Sequence, residues 1–287
     1  MRPPSALLCA TSPGRLSHLK GTPMTRNRLL ALRCLIPFFF TAVYAPDAHA
    51  TWSIATVNPR TGTIGVAAAS CSGGVYGIQT VVPGKGVVIV QAASNHDARE
   101  AAVAMLRKGA PLDTILAKIT APNSDYQPQR QQYALLSSGT DPRPRTYTGA
   151  EVPGAKATAG ADHISVQGNT LASEDAVAKT IAALGKADWP DDLAMARAIM
   201  RAMDAGAKAG GDRRCGKANS NTAFIGLYRK TDPQDKPWVE LAINGLPAGT
   251  ESGMAHLDGL FQQWVDNGTK RSSTRRFVVP SVARPIK

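Results

Sequence analysis

Histidine is scarce in this chain: there are five in 287 residues, and only His96, His163 and His256 lie beyond residue 50. Each is isolated, with no second ligand at the short spacing that a metal site uses, so no metal centre is expected. No Gly-x-Ser-x-Gly turn is present to expose a serine, which leaves Ser-His-Asp chemistry without local support. The lack of a Cys-x-x-Cys pair removes disulfide exchange as a function. Gly211-Asp212-Arg213-Arg214-Cys215-Gly216-Lys217-Ala218 nearly spells a phosphate loop, but Ala218 stands where a hydroxyl must hold magnesium, and the segment follows a helical stretch instead of opening one. No repeat of 20–50 residues is found, and nothing in the chain calls for a cofactor.

Acidic residues are outnumbered, 21 to 33, which gives a formal net charge of +12. The excess is not a patch on the fold. Residues 1–50 hold six Lys/Arg against one Asp, and Lys270, Arg271, Arg275, Arg276, Arg284 and Lys287 carry most of the rest. A nucleic-acid binder is expected to interleave its basic residues with aromatics on the folded part, and no such region exists here. The basic stretch 269–287, broken by Pro280 and Pro285, reads as a disordered, solvated tail.

No apolar run reaches the roughly 20 residues needed to cross a bilayer. Cys34 to Ala45 is the nearest approach, preceded by Arg26 and Arg28 and followed by Pro46, Asp47 and the small-x-small triplet Ala48-His49-Ala50. This is the pattern of a cleaved signal peptide over 1–50, with Met24 as an alternative start to Met1 and no membrane anchor after cleavage. A secreted or periplasmic protein is expected, and the remaining length suits one domain, 51–268.

Cleavage after Ala50 would leave Thr51 first. An α-amine has an unperturbed pKa of roughly 7.7–8.0, against about 10.4 for lysine. It can therefore serve near neutral pH as general base for the hydroxyl on the same residue. The same position also starts a strand, since Trp52 to Val57 alternates, Asn58-Pro59-Arg60-Thr61-Gly62 supplies a turn, and Thr63 to Ser70 continues as a small, apolar strand.

Beyond residue 50 only Cys71 and Cys215 remain. An even pair in an exported chain suggests a disulfide, and two free buried thiols are the alternative that sequence leaves open.

Further strands are expected around the Pro83-Gly84-Lys85-Gly86 turn, at Tyr133 to Ser137, His163 to Gln167, Thr222 to Tyr228 and Trp238 to Asn244. Helices are expected over Asp97 to Arg107, Pro111 to Ile119, Ser173 to Leu184, Asp191 to Lys208 and Met254 to Val265, with Ser173 as a cap. The Gly- and Ala-rich stretch after Gly149 reads as a connection. Strand groups alternating with helix pairs fit an α+β sandwich of two sheets covered by helices.

Polar residues at strand ends supply the remaining candidates. Gln91 and Asn95, after a buried strand, and Asn169 with the bare backbone of Gly168 could donate to a developing oxyanion. Asp212 and Arg214 sit in a Gly-rich loop suited to holding a substrate carboxylate through a bidentate arginine.

Taken together, Thr51-Trp52-Ser53-Ile54, Gly65 to Cys71, Pro83 to Val87, Gln91-Ala92, Val166-Gln167-Gly168-Asn169, Gly211 to Cys215, Thr222 to Leu227 and Trp238 to Leu241 resemble the DUF1028 family, grouped with the N-terminal nucleophile (Ntn) hydrolases. The resemblance runs in order across most of 51–268. It implies a four-layer αββα sandwich of two mainly antiparallel sheets, with Thr51 as nucleophile and its own α-amine as base, acting on a small-molecule or peptide amide through an acyl-enzyme ester. The segment Gly216 to Asn221 departs from the Ser-rich run of many relatives, which bears on any role of that loop in substrate choice. The competing expectation is a non-catalytic envelope protein that binds or adheres with the same scaffold. A homo-oligomer is compatible with either.

Overall fold

Residues 51–247 and 249–277 are described by a computed structural model. The expected leader, 1–50, lies outside the described residues, as does the end of the basic tail beyond residue 277.

Strands β1 (Thr51–Val57) and β2 (Ile64–Ser70) form the hairpin that the alternation and the Asn58–Gly62 turn predict, in register from Thr51 opposite Ser70 to Val57 opposite Ile64. Gly62 closes the turn at φ +73°, with its N–H on the Asn58 carbonyl at 2.8 Å, a conformation that glycine adopts without strain. The hairpin sits at the middle of a seven-stranded sheet. β8 (Ile164–Leu171) and the edge strand β7 (Ala155–Ala161) lie on one side of it; β9 (Thr222–Tyr228), β10 (Val239–Asn244) and β11 (Ser272–Phe277) lie on the other.

A second sheet of four strands runs in the order β3 (Gln79–Val82), β4 (Gly86–Ala92), β5 (Gln131–Ser137) and β6 (Arg145–Thr148). Its outer face carries Val88, Val90, Tyr133 and Leu135 against α1 (His96–Arg107) and α2 (Leu112–Ile119). On the outer face of the large sheet, Trp52, Ile54, Val166 and Ile225 pack against α3 (Asp175–Leu184), α4 (Asp192–Lys208) and α5 (Gly253–Asp266). Gly206 permits the close approach of α4 to β1, because a Cβ there would come within 2.9 Å of the Trp52 indole nitrogen. Between the sheets lie Ala55, Val57, Val66, Ala68, Val87, Ile89, Ala134, Leu136 and Phe224. The described residues thus form a four-layer αββα sandwich, with a core between each pair of adjacent layers and a small cluster of Cys71, Cys215 and Ala218 beside them. All pairings are antiparallel except β10 with β11.

The chain departs from the sequence reading in four places. β7 replaces the connection expected after Gly149, and β6 lies just before it where no strand was expected; β7 reads Ala-Lys-Ala-Thr-Ala-Gly-Ala, and small residues on a half-exposed edge strand give no hydrophobic alternation to detect. β8 does not end at Gln167 but runs on to Leu171, so Gly168 and Asn169 are strand residues and not a turn. Ser173 does accept a hydrogen bond at the start of α3, from Asp175 N–H at 3.2 Å, although the helix opens one residue past it at the Glu174 cap position. The last correction concerns the basic stretch from 269. Ser272 to Phe277 forms β11, and two cations of this stretch are paired and not simply solvated: Arg275 in β11 meets Glu240 at 2.6 Å, and Arg271 just before it meets Asp232 at 2.6 Å. Both acids are almost fully buried, so two members of the apparent charge excess are consumed within the fold.

Candidate active site at the sheet ends

The inward-facing residues of β1 change character along the strand. Val57 and Ala55 join the apolar inter-sheet core; Ser53 and Thr51, at the other end, do not. Because side chains alternate across a strand, Thr51 shares the inter-sheet face with Ser53 and opposes the Trp52 face that packs on the helices. Its backbone partners are Ser70 on β2 and Asn169 on β8, which by the same alternation also face inward. Three polar side chains therefore lie in a row across β2, β1 and β8 at one end of the sandwich.

Behind Thr51 the two sheets are bridged by a chain of amides and hydroxyls. Ser53 Oγ donates to Gln91 Oε1 at 2.6 Å and accepts from Gln167 Nε2 at 2.5 Å, while Ser165 Oγ donates to Gln167 Oε1 at 2.9 Å. Gln91 Nε2 donates to Gln132 Oε1 at 2.8 Å and, more weakly, to the Thr51 carbonyl at 3.4 Å. Gln132 Nε2 reaches the Gly168 carbonyl at 3.2 Å. Every member is buried, and a satisfied network at such a depth holds its donors in fixed orientation.

In front of Thr51 is a cavity of about 410 Å3, lined by Thr51, Gln91, Ala92, Ala93, Ser94 and Arg130 and by the 72–78 loop, including Ser72 and Tyr76. Thr51 itself is only 2% exposed. Ala92 is held at φ +67°, a left-handed conformation costly for a non-glycine residue, and it turns the chain from β4 along the cavity wall. A larger cavity, about 590 Å3 between α4 and α5, is remote from this row and is lined by helix residues such as Arg197, Met200, Met254 and Phe261.

The loop wall is braced from β10 and β11. Tyr76 Oη donates to Glu240 Oε2 at 2.5 Å and accepts from Arg275 Nη2 at 2.9 Å, with the Arg275 guanidinium 4.3 Å above the Tyr76 ring. Burial first, and then the Glu240 carboxylate, push the Tyr76 phenol up to about 12.

The sequence candidates separate into two groups. Thr51, Gln91, Gly168 and Asn169 come together at the end of the inter-sheet layer. Within that group Gly168 is paired on both sides, with Trp52 and Ala157, so its backbone belongs to the sheet ladder. Asn169 Nδ2 makes only a long contact, 3.4 Å, to Gln132 Oε1. The second group does other work. Asn95 caps α1, its Oδ1 accepting from Ala98 N–H at 2.8 Å and its Nδ2 donating to the Tyr126 carbonyl at 3.3 Å. Asp212 is fully buried and accepts from Cys71 N–H at 2.5 Å and from the Arg214 side chain at 2.8 and 3.1 Å. The arginine fork expected to meet a substrate carboxylate is thus engaged by the protein's own. Cys71 and Cys215 are joined by a disulfide beside this carboxylate.

Ser53, Gln132, Ser70, Tyr76 and Arg130 were not singled out by the sequence. The usable signal was a polar residue on the inward period of a strand whose other inward residues are apolar: Ser53 before Ala55 and Val57 in β1, Gln132 before Ala134 and Leu136 in β5. Among the described residues no group of three or more His, Cys, Asp and Glu is placed to hold a metal ion. No helix among them is long and apolar enough to cross a membrane.

Architecture and site define an αββα sandwich whose first described strand ends in a buried threonine at a cavity. A family model described as a family of unknown function, DUF1028, matches residues 51–250. The chain belongs to that family. Among solved structures it is similar to protein SPO2555 from Silicibacter pomeroyi, assigned to the same family, at 24% identity over 75% of this chain and 86% of that one, with a TM-score of 0.61. Looser matches are Anbu from Hyphomicrobium sp. strain MC1 (13% identity, 75% and 95% covered, TM-score 0.41) and Anbu, an ancestral beta-subunit, from Yersinia bercovieri (13%, 75% and 96%, TM-score 0.39). Those two likenesses are too distant to bear on the site. A search of curated proteins finds no match.

Proposed function

We propose that this chain is an exported amidohydrolase of the N-terminal nucleophile type, in which removal of residues 1–50 frees the α-amine of Thr51. The observation that carries the reading is the position of Thr51: inward-facing, nearly buried, flanked by Ser70 and Asn169, and lining a cavity of about 410 Å3. A residue that merely followed a leader would have no reason to occupy the inter-sheet layer beside a polar network.

In the reaction, the Thr51 α-amine takes the proton from Thr51 Oγ as that oxygen attacks the amide carbon. The tetrahedral intermediate collapses with transfer of the proton from the ammonium to the leaving nitrogen, which departs as an amine and leaves an ester on Thr51. Water, deprotonated by the same α-amine, attacks the ester, and the acid is released with the hydroxyl restored. Asn169 Nδ2, held only by its long contact to Gln132, is the side-chain donor we assign to the developing oxyanion. The cavity falls in the size range of small-ligand sites.

The disulfide supports an oxidising compartment, in keeping with the leader pattern, and hence a secreted or periplasmic location. The test is to sequence the N-terminus of the exported protein and then to treat it with an amide-reactive acylating probe. A chain beginning at Thr51 and a mass adduct on Thr51 are expected. A mature chain beginning elsewhere would abolish the proposal, because no free amine would then neighbour the hydroxyl.

A further inference from the structure

We infer that Arg130 is the anchor for an anionic group on the substrate, so that the amides taken by this cavity carry a carboxylate close to the scissile bond; the inference deepens the Thr51 reading and rests on it. The residues lining the cavity include no acid and a single cation, Arg130, among neutral groups such as Thr51, Ser72, Gln91 and Ser94. A small cavity whose one formal charge is positive favours an anionic ligand over a neutral or cationic one.

Arg130 is built into the wall. Its carbonyl accepts the Ala93 N–H at 3.2 Å, which joins it to the segment that leaves β4 through the left-handed Ala92. Its side chain is half-buried, and the guanidinium makes one long contact, 3.4 Å, from Nη1 to Gln127 Oε1. It has no ion pair among the described residues. Elsewhere in the fold Arg145, Arg214, Arg271 and Arg275 are each taken up by a carboxylate at 2.6–2.8 Å. Apart from that long contact, Arg130, a residue of the cavity lining, has its planar donor fork free of any carboxylate among the described residues, and such a fork binds a carboxylate through two parallel hydrogen bonds. The anion-binding role that the sequence assigns to Arg214 thus moves to a residue on the cavity itself.

The carboxylate can sit on the amine side of the bond, as in an N-acylamino acid, or on the acyl side, as in a dicarboxylic acid monoamide. Both arms are tested with the mature chain carrying Thr51→Ala, so that binding is read without turnover. Calorimetry compares N-acetylglycine and succinamate, each against its neutral carboxamide counterpart, in proteins with Arg130 and with Arg130→Gln, whose unchanged melting temperature certifies folding. We expect at least one carboxylate to bind about tenfold or more tightly than its neutral partner, and Arg130→Gln to remove that preference. Equal binding of charged and neutral ligands, a preference that survives Arg130→Gln, or no binding of either carboxylate at ~10 mM overturns the inference. Failure of the hydrolase reading is distinguishable: the protein with Thr51 would then cleave none of these amides while the Arg130-dependent preference persisted.

Discussion

Asp212 and Cys71 lie 141 residues apart in sequence, and the carboxylate of the first accepts the backbone N–H of the second at 2.5 Å, next to the disulfide that ties Cys71 to Cys215. Ser70, the residue before Cys71, is the cross-strand partner of Thr51. The loop that carries Asp212 therefore fixes the end of β2 and, through it, one side of the Thr51 row. Removing the carboxylate would leave the Cys71 N–H without its acceptor and take one ion-pair partner from the Arg214 side chain, which is 29% exposed. We expect Asp212→Ala to destabilise the fold by about 1–3 kcal/mol, read from denaturant unfolding, and Asp212→Asn to cost less. A loss below ~1 kcal/mol for the alanine variant would show that the loop does not lock the strand.

The disulfide closes a loop of 144 residues, worth about 5 kcal/mol in the chain-entropy model. Replacing both cysteines by serine is expected to lower the melting temperature by about 10–20 °C, in line with the size scaling of ΔS. Mass spectrometry after alkylation of the oxidised protein should find neither Cys71 nor Cys215 modified, and reduction should open both to reagent.

Thr51→Ala should abolish amide turnover, while Thr51→Ser, which preserves both the hydroxyl and the amine, should retain a measurable part of it. Circular dichroism must show both variants folded. A folded Thr51→Ala protein that retains the full biological effect would instead favour a binding protein on this scaffold.

Alkaline pH should weaken the brace at Tyr76. Its phenol is raised in the fold from an ordinary value of 10 to about 12, by burial and then by Glu240. A raised folded-state pKa contributes stability that is complete below pH ~10 and disappears as pH climbs through ~12. Tyr133 and Tyr228, also raised by burial, act in the same direction. Unfolding free energy should therefore fall across that window, with the phenolate absorbance of Tyr76 emerging near its top. In Tyr76→Phe the Tyr76 part of the fall should vanish.

The polar bridge between the sheets makes a further prediction. Gln132→Ala deprives Gln91 of its acceptor at 2.8 Å and the Gly168 carbonyl of its donor at 3.2 Å. A cost of about 1–3 kcal/mol in unfolding free energy is expected, because both partners are buried. Gln132→Glu keeps the volume but places a charge in the layer, and should cost more.

Local chemistry made much of the sandwich legible. The first hairpin, the helices over 96–119 and 192–208, and the strand Thr222–Tyr228 follow from alternation, helical periodicity and caps, and the structure has them at the expected bounds or within a residue or so. Edge strands were the weak point. β7 and β6 carry small or half-exposed residues, and β11 looked like a solvated tail because Arg271 and Arg275 find their carboxylates far away in sequence, at Asp232 and Glu240.

By itself the sequence determined the helices and most of the interior strands, that two cysteines remain beyond residue 50, and that a threonine opens the first strand. These are properties of neighbours in the chain. Which polar groups meet was decided only by the tertiary structure, because these hydrogen bonds join residues 38 to 141 positions apart and leave no local period to read. That is why Asp212 and Asn95, persuasive as site residues in sequence, hold the backbone, and why Arg130, inconspicuous beside Gln129 and Gln131, stands on the cavity of Thr51.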